Sequence, residues 1–420
     1  MKKSYKSFLA LGLSLGLIGL VSACGKSDEA NSKTGGKVKL AINLYTGAIS
    51  DESIKSAKEK FPDYELTFNT LPADQNFDKK LKTSLNSKSA PDITTINSNI
   101  EEFLPYSEKF VNLLDYDVVE LESDYVDWKW GSAMTPDKKN LIAMPLDIGP
   151  TALFYHVETF EKAGLPTDPK EVSEKIKTDE DYMNAAKQIK EKADKATWLS
   201  GEELLAIQLR KMTKSQYDEE GKLILADGQT KEAWDFTVEA IKNGYTLGVQ
   251  GNSVDSMVAL TDAMYTANVS ASWGVQDMKD DYDKRVGQWR IAKAPGNASN
   301  YGGSYLAVIG TTDHPKEAAE VVKFLTGPEM QKTNMKELSL FPANQKVYED
   351  DVMVNEDEFF GGQEINQYFI DAAKNINYVY KDTRNMAAED ALIEQISLVE
   401  YQDKDPETAW KDAVSKIEKL

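Results

Sequence analysis

The chain carries one cysteine, Cys24, and two histidines, His156 and His314, among 420 residues. A single thiol forms no intrachain disulfide, so the fold has to rest on its hydrophobic core. The same scarcity excludes a zinc site built from histidine and thiolate ligands. It also forces any Ser-His-Asp triad onto one of two histidines. His156 ends a strand-like run and His314 precedes Pro315 at a helix start, so both read as structural. Basic charge is short as well: 49 Lys and Arg against 69 Asp and Glu leave a net charge of −20. Nucleic acid demands an electropositive footprint, so no nucleic-acid partner is expected. Nor is an electrostatic attachment to anionic lipid. The apolar run from Phe8 to Val21 holds 14 residues, short of the ~20 that span a bilayer as a helix. Asp403-Lys404-Asp405 lacks the glycine and terminal glutamate of a calcium loop. No metal and no cofactor are expected.

What is present begins at the amino terminus. Lys2, Lys3 and Lys6 precede the apolar run, and Ser22-Ala23 follow it, the pattern of a cleaved signal peptide. Leu20-Val21-Ser22-Ala23-Cys24 resembles the lipobox of bacterial lipoproteins. That resemblance implies that Cys24 is lipidated, begins the mature chain and holds it on the extracellular face of the cell membrane, in a Gram-positive cell. Residues 1–23 are read as signal peptide and 24–36 as a flexible tether, because Gly25–Gly36 is small, polar and aperiodic. The 397 residues from Cys24 onward exceed what one core usually supports, so two lobes are expected.

From residue 37 strand and helix patterns alternate. Val38, Leu40, Ile42 and Leu44 recur with the period of a strand. Ser50-Asp51-Glu52 opens a helix through Ile54, Ala57 and Phe61, stopped by Pro62. Tyr64, Leu66 and Phe68 form a second strand, Phe77, Leu81 and Leu85 mark a helix, and Asp92–Ile96 is a third strand. The same grammar returns in Ala152–His156, in a helix from Thr178 capped by Thr178 and Asp181, in Ala267–Ser272, in Tyr305–Gly310 and in the helix Pro315–Leu325. Strands separated by helices imply crossover connections, so the fold class is α/β, with a mostly parallel sheet expected in each lobe.

The segment 144–164, MPLDIGPTALFYHVETFEKAG, resembles the interlobe crossing of bacterial extracellular solute-binding proteins, in the branch of maltodextrin-binding protein and related sugar receptors of ABC importers. Ala90-Pro91-Asp92-Ile93, Ala271-Ser272-Trp273-Gly274, Tyr301-Gly302-Gly303-Ser304-Tyr305, Lys316–Ala319 with Phe324-Leu325-Thr326, and Leu340–Ala343 resemble further segments of that family in the same order. The resemblance implies a two-lobed periplasmic-binding-protein-like fold of type II, closing on ligand by hinge motion. The lobe limits expected are 37–146 with 296–342, and 147–295 with 343–420. The function implied is the lipid-anchored, monomeric receptor of an ABC sugar importer, binding a malto- or other gluco-oligosaccharide and delivering it to permease subunits.

Sugar recognition calls for aromatic faces and for side chains that offer paired donors and acceptors. Trp273 leads, because it matches the stacking tryptophan of the family. Asp147 stands at the end of a strand beside Gly149-Pro150, and Tyr45 and Thr46 stand at the carboxyl end of the first strand, where open α/β sheets bind ligand. Asn97, Ser98 and Asn99 match the contact loop of the first lobe, with Gln75 and Asn76 as weaker candidates. Trp198 occupies a stretch where the family presents an aromatic side chain. Tyr301, Gly302 and Gly303 lie at the second crossing, where glycine admits close backbone approach. Asn377–Tyr380 offers another aromatic wall, Trp128 and Trp130 are expected to pack a surface helix, and Trp234, Trp289 and Trp410 are expected in the core. A lipid-anchored glycoside hydrolase would need two carboxylates about 5–9.5 Å apart, and nothing in the sequence singles out such a pair. A receptor for a peptide or polyamine is the nearer alternative.

Overall fold

A computed structural model describes residues 37–420 except 73–75, 88, 252, 262, 282–284 and 355. The signal peptide, Cys24, the tether and Gln75 lie outside the described residues. The first sheet has the strand order β2-β1-β3-β9-β4. Its strands are β1 (Val38–Tyr45), β2 (Tyr64–Leu71), β3 (Ile93–Ile96), β4 (Ala143–Pro145) and β9 (Tyr305–Val308). Leu40, Ile42 and Leu44 are buried at alternate positions, as the sequence period requires. β1 pairs in parallel with β2, Val38 opposite Tyr64, and with β3, Ile42 opposite Ile93. β9 lies antiparallel between β3 and β4.

The helices follow their sequence signals. Asp51–Lys60 starts where the Ser50 hydroxyl accepts from the Ser53 amide at 3.2 Å, and it ends at Phe61 before Pro62. Asp179–Ala193 begins with a complete capping box: Thr178 Oγ1 accepts from the Asp181 amide, and the Asp181 carboxylate accepts from the Thr178 amide, both at 3.0 Å. Asp92 fastens the first sheet, its carboxylate accepting from the Ala41 amide at 2.8 Å and from the Thr312 hydroxyl at 2.5 Å.

The second sheet has the order β7-β6-β8, from β6 (Thr151–His156), β7 (Ala267–Ala271) and β8 (Trp289–Lys293). Here the parallel expectation needs refinement, because both pairings are antiparallel. β6 leads away from the crossing, while β7 and β8 both return to it, placing Ala271 and Lys293 beside Thr151 and Ala152. The helix Gly274–Asp281 joins β7 to β8 across β6, so the crossover is real but its two parallel strands are not neighbours. Helices Gly201–Arg210, Gln229–Lys242, Asn385–Gln402 and Pro406–Ile417 share a further apolar core around Trp234 and Leu392.

Three crossing segments lie side by side between the sheets. β5 (Asp147–Ile148) pairs with β10 (Phe341–Pro342). The Tyr301 amide donates to the Gly149 carbonyl at 2.7 Å, and the Gly149 amide donates to Asn300 Oδ1 at 2.8 Å. A Cβ on Gly149 would lie 2.0 Å from the Tyr301 carbonyl oxygen, so the contact admits only glycine. Trp128 and Trp130, on the helix Asp127–Ser132, are buried in the first core rather than lying on a surface helix, because the C-terminal segment covers them: Trp128 Nε1 donates to the Ala373 carbonyl. Trp234 and Trp289 are buried as expected, and Trp410 is partly buried against Trp234.

Candidate functional site

Two spaces open beside the crossing. The larger, about 690 Å³, is walled by Trp273, Tyr301, Arg210, Glu203 and Trp289 among others. Trp273 sits on the turn between β7 and its following helix, 37% exposed, with Nε1 donating to the Tyr301 carbonyl at 3.1 Å. The Trp273 and Tyr301 rings meet edge to face at 5.4 Å. The Arg210 guanidinium stacks 3.9 Å from the centre of the Tyr301 ring. The outcome is a half-exposed aromatic pair stiffened by a cation, a surface suited to the C–H face of a sugar ring. Burial, with Glu202 and Glu400 nearby, pushes the Glu203 carboxyl up to about 7.

The smaller space is about 130 Å³. Lys129, Glu101, Tyr305, Arg210, Tyr378 and Lys381 are among the residues that line it. The Tyr378 ring packs over Gly131, whose Cβ position lies 3.5 Å from Cδ2, so the C-terminal segment reaches the first lobe here. Lys129 is 1% exposed, and its ammonium rests 3.8 Å from the centre of the Tyr305 ring. It makes no ion pair among the described residues. Burial outweighs the attraction of Asp147 and Glu101 and lowers the Lys129 ammonium to about 7. Burial likewise raises the Glu101 carboxyl, against the pull of Lys381.

The residues expected from sequence divide accordingly. Trp273 and Tyr301 stand together at the cleft, and Tyr378 and Tyr380 line the smaller cavity. Asp147 does not face ligand space: it is buried, and its Oδ1 accepts from the Ser304 amide at 2.9 Å and from the Ser304 hydroxyl. Burial raises its carboxyl despite Lys129 and Ser304, so the role is to hold the crossing. Tyr45 turns inward toward the same cluster: burial and the Asp147 charge raise its phenol, and its ring packs edge-on against Phe77 at 5.9 Å. Thr46 is exposed, but its hydroxyl is engaged by the Leu71 carbonyl at 3.1 Å. In the Asn97–Asn99 loop the Asn97 side chain accepts from the Ser98 amide, while Asn99 and the Asn97 backbone engage Asp78. Ser98 alone of the three lines the cavity. Gly303 has φ +82° and would set a Cβ 2.5 Å from the Asp147 carbonyl oxygen, so it serves close packing of the crossings. Gly302, at φ +99°, lies beside Trp273 Nε1 with room at 3.6 Å.

Trp198 is a correction. It is 2% exposed, with its ring edge-on to Tyr182 at 4.8 Å and to Phe236 at 5.9 Å. It packs the second core because its strand-like stretch bridges to Thr246 and inserts the indole behind the sheet. Lys129, Glu101 and Arg210 were missed. The sequence offered one signal for the first of these, a lysine between two tryptophans in Asp127-Trp128-Lys129-Trp130. Burial of both tryptophans carries the lysine in with them. Among the described residues no group of three or more His, Cys, Asp or Glu side chains is placed to hold a metal ion.

A sequence model of bacterial extracellular solute-binding proteins matches residues 52–361. The chain is 23% identical over 389 residues to an arabinooligosaccharide-binding protein of Halalkalibacterium halodurans, covering 88% of this chain and 85% of that protein. It is 22% identical to an arabinooligosaccharide-binding protein of Bacillus subtilis, with 99% of each covered. A crystal structure described as an extracellular solute-binding protein of family 1 superposes with a TM-score of 0.86 at 27% identity, covering 91% of this chain and 99% of the other. The aromatic pair at the crossing segments thus sits in a chain that belongs to the bacterial extracellular solute-binding proteins.

Proposed function

We propose that this chain is the receptor of an ABC sugar importer and binds an oligosaccharide between its lobes. As a member of a family of binding proteins it is not an enzyme. The observation that carries the reading is the half-exposed Trp273–Tyr301 pair at the crossing, backed by Arg210. Such a face stacks on a sugar ring while neighbouring polar groups meet its hydroxyls. The relatives' names support an oligosaccharide rather than a peptide or polyamine. In this reading residues 37–146 with 296–342 form one lobe and 147–295 with 343–420 the other. Ligand favours the closed arrangement by its extra affinity for it, and closed receptor delivers ligand to the permease. Acyl chains on Cys24 keep the receptor near that permease. The glucose-based ligand expected from the family resemblance stands beside arabinose-based ones as a candidate.

The test is a panel of di- to hexasaccharides built from glucose, arabinose, galactose and their uronic acids. Ligand at a hundred times its dissociation constant adds about 2.7 kcal/mol of stability, a readily measured rise in melting temperature. If no saccharide raises it, the proposal fails. Trp273→Ala is expected to weaken binding of the active saccharide at least about tenfold, or ~1.4 kcal/mol, with the melting temperature of the free protein little changed. Retained affinity would remove Trp273 from the site.

A further inference from the structure

The smaller cavity has a charge balance opposite to that of the protein around it. The chain carries −20 overall, yet Lys129, Arg210, Lys214 and Lys381 line this one space against Glu101 and Glu389. Partners already present account for some of that charge. Lys214 pairs with Asp227, and Glu101 attracts both Lys381 and Lys129 without an ion pair to either among the described residues. Two cations remain. The Lys129 ammonium, 1% exposed, lies on the face of Tyr305 and makes no hydrogen bond or ion pair among the described residues, although Asp147 and Glu101 attract it from farther off. Arg210 lies on Tyr301, and its Nη1 is buried without a hydrogen-bond partner among the described residues. The carboxylate that could answer Lys129 from the crossing, Asp147, directs Oδ1 to Ser304 instead.

A buried cation without a partner is costly, because desolvation is not repaid by an ion pair. Two such groups lining one cavity call for a missing anion. A sugar hydroxyl can accept a hydrogen bond from either, but it brings no charge. A carboxylate does both, and a guanidinium matches it with paired N–H donors. Arg210 also borders the larger cleft that holds Trp273, so one extended ligand can reach both spaces. An aromatic platform would hold the ring and the cavity would hold the acid group.

We infer that the ligand is an acidic oligosaccharide, and that a uronic-acid carboxylate occupies the cavity between Lys129 and Arg210. The inference rests on the sugar-receptor reading above and narrows it to one class of saccharide. It is tested by calorimetric titration of matched pairs of the same length and linkage, differing only in oxidation at C6: digalacturonate against galactobiose, and a cellobiose-derived uronate against cellobiose. Wild-type protein is expected to bind the uronate of at least one pair about tenfold or more tighter than its neutral partner, the effect of one desolvated charge pair. Lys129→Met is expected to bring that ratio close to one. Arg210→Gln lowers it independently and serves if Lys129→Met does not fold. Neutral sugars bound as tightly as, or more tightly than, their uronates by wild-type protein overturn the inference and leave the sugar-receptor reading standing. Binding of neither class overturns both. A uronate preference that survives both substitutions overturns the assignment to this cavity.

Discussion

Lys129 is the residue whose replacement tests the physical account most sharply. Its ammonium is held at about 7 against an ordinary 10.5. At about 1.36 kcal/mol per pKa unit, that interval corresponds to roughly 5 kcal/mol between the charged and neutral forms. That interval is already net of the Tyr305 contact, so Lys129→Met should stabilise the free protein by a few kcal/mol near neutral pH. The sign follows from proton binding. Between pH 7 and 10.5 the unfolded chain keeps a proton that the folded protein has released, so wild-type stability rises with pH through that window. Methionine does not titrate. The stabilising effect of the substitution is therefore full below pH 7 and shrinks as pH climbs toward 10.5. Urea unfolding of both proteins from pH 6 to pH 10 reads this directly. Equal stabilities, or a difference that stays flat with pH, would mean that Lys129 has a counter-charge or ready water, and the desolvation argument would fall.

Two other substitutions probe the corrections made by the structure. Trp198→Ala should cost about 3–5 kcal/mol of unfolding free energy as a core truncation, while Trp198→Phe should keep saccharide affinity within about twofold, a few tenths of a kcal/mol. Lost affinity at unchanged stability in Trp198→Phe would return this residue to the site. Gly303→Ala has to hold a side chain at φ +82° and 2.5 Å from the Asp147 carbonyl. It should destabilise by roughly 1–3 kcal/mol, and unchanged denaturant midpoints would show that the crossing yields easily.

Local grammar explains how much of this was legible in the sequence. Period-two burial in β1, the serine cap of Asp51–Lys60 and the capping box at Thr178 are decided by residues a few positions apart, and each occurs where its pattern stands. The family resemblance singled out Trp273 as the stacking residue and Tyr301 at the second crossing, and the two rings meet edge to face. What failed to show depends on neighbours far along the chain. Whether Asp147 faces ligand or backbone is settled by Ser304, 157 residues later. Trp198 reads as exposed until the helices carrying Tyr182 and Phe236 close over it. Lys129 reads as a surface lysine until Ala373 caps Trp128 beside it. The antiparallel second sheet hid for a related reason: its two parallel strands are separated by β6, and period alone carries no strand order.

The place of β9 has a consequence for how the molecule comes into being. The strand that joins β3 to β4 consists of residues 305–308, and Asp92 waits for Thr312 to complete its clasp. Until that stretch emerges from the ribosome, the amino-terminal strands lack an inner neighbour and present an open edge. Pairings this distant are slow to close, because the intervening loop entropy comes first. The nascent chain therefore cannot finish its first half early. A chain meant to be threaded through a membrane has to stay loose during synthesis, and an interleaved sheet of this kind delays its own completion by topology.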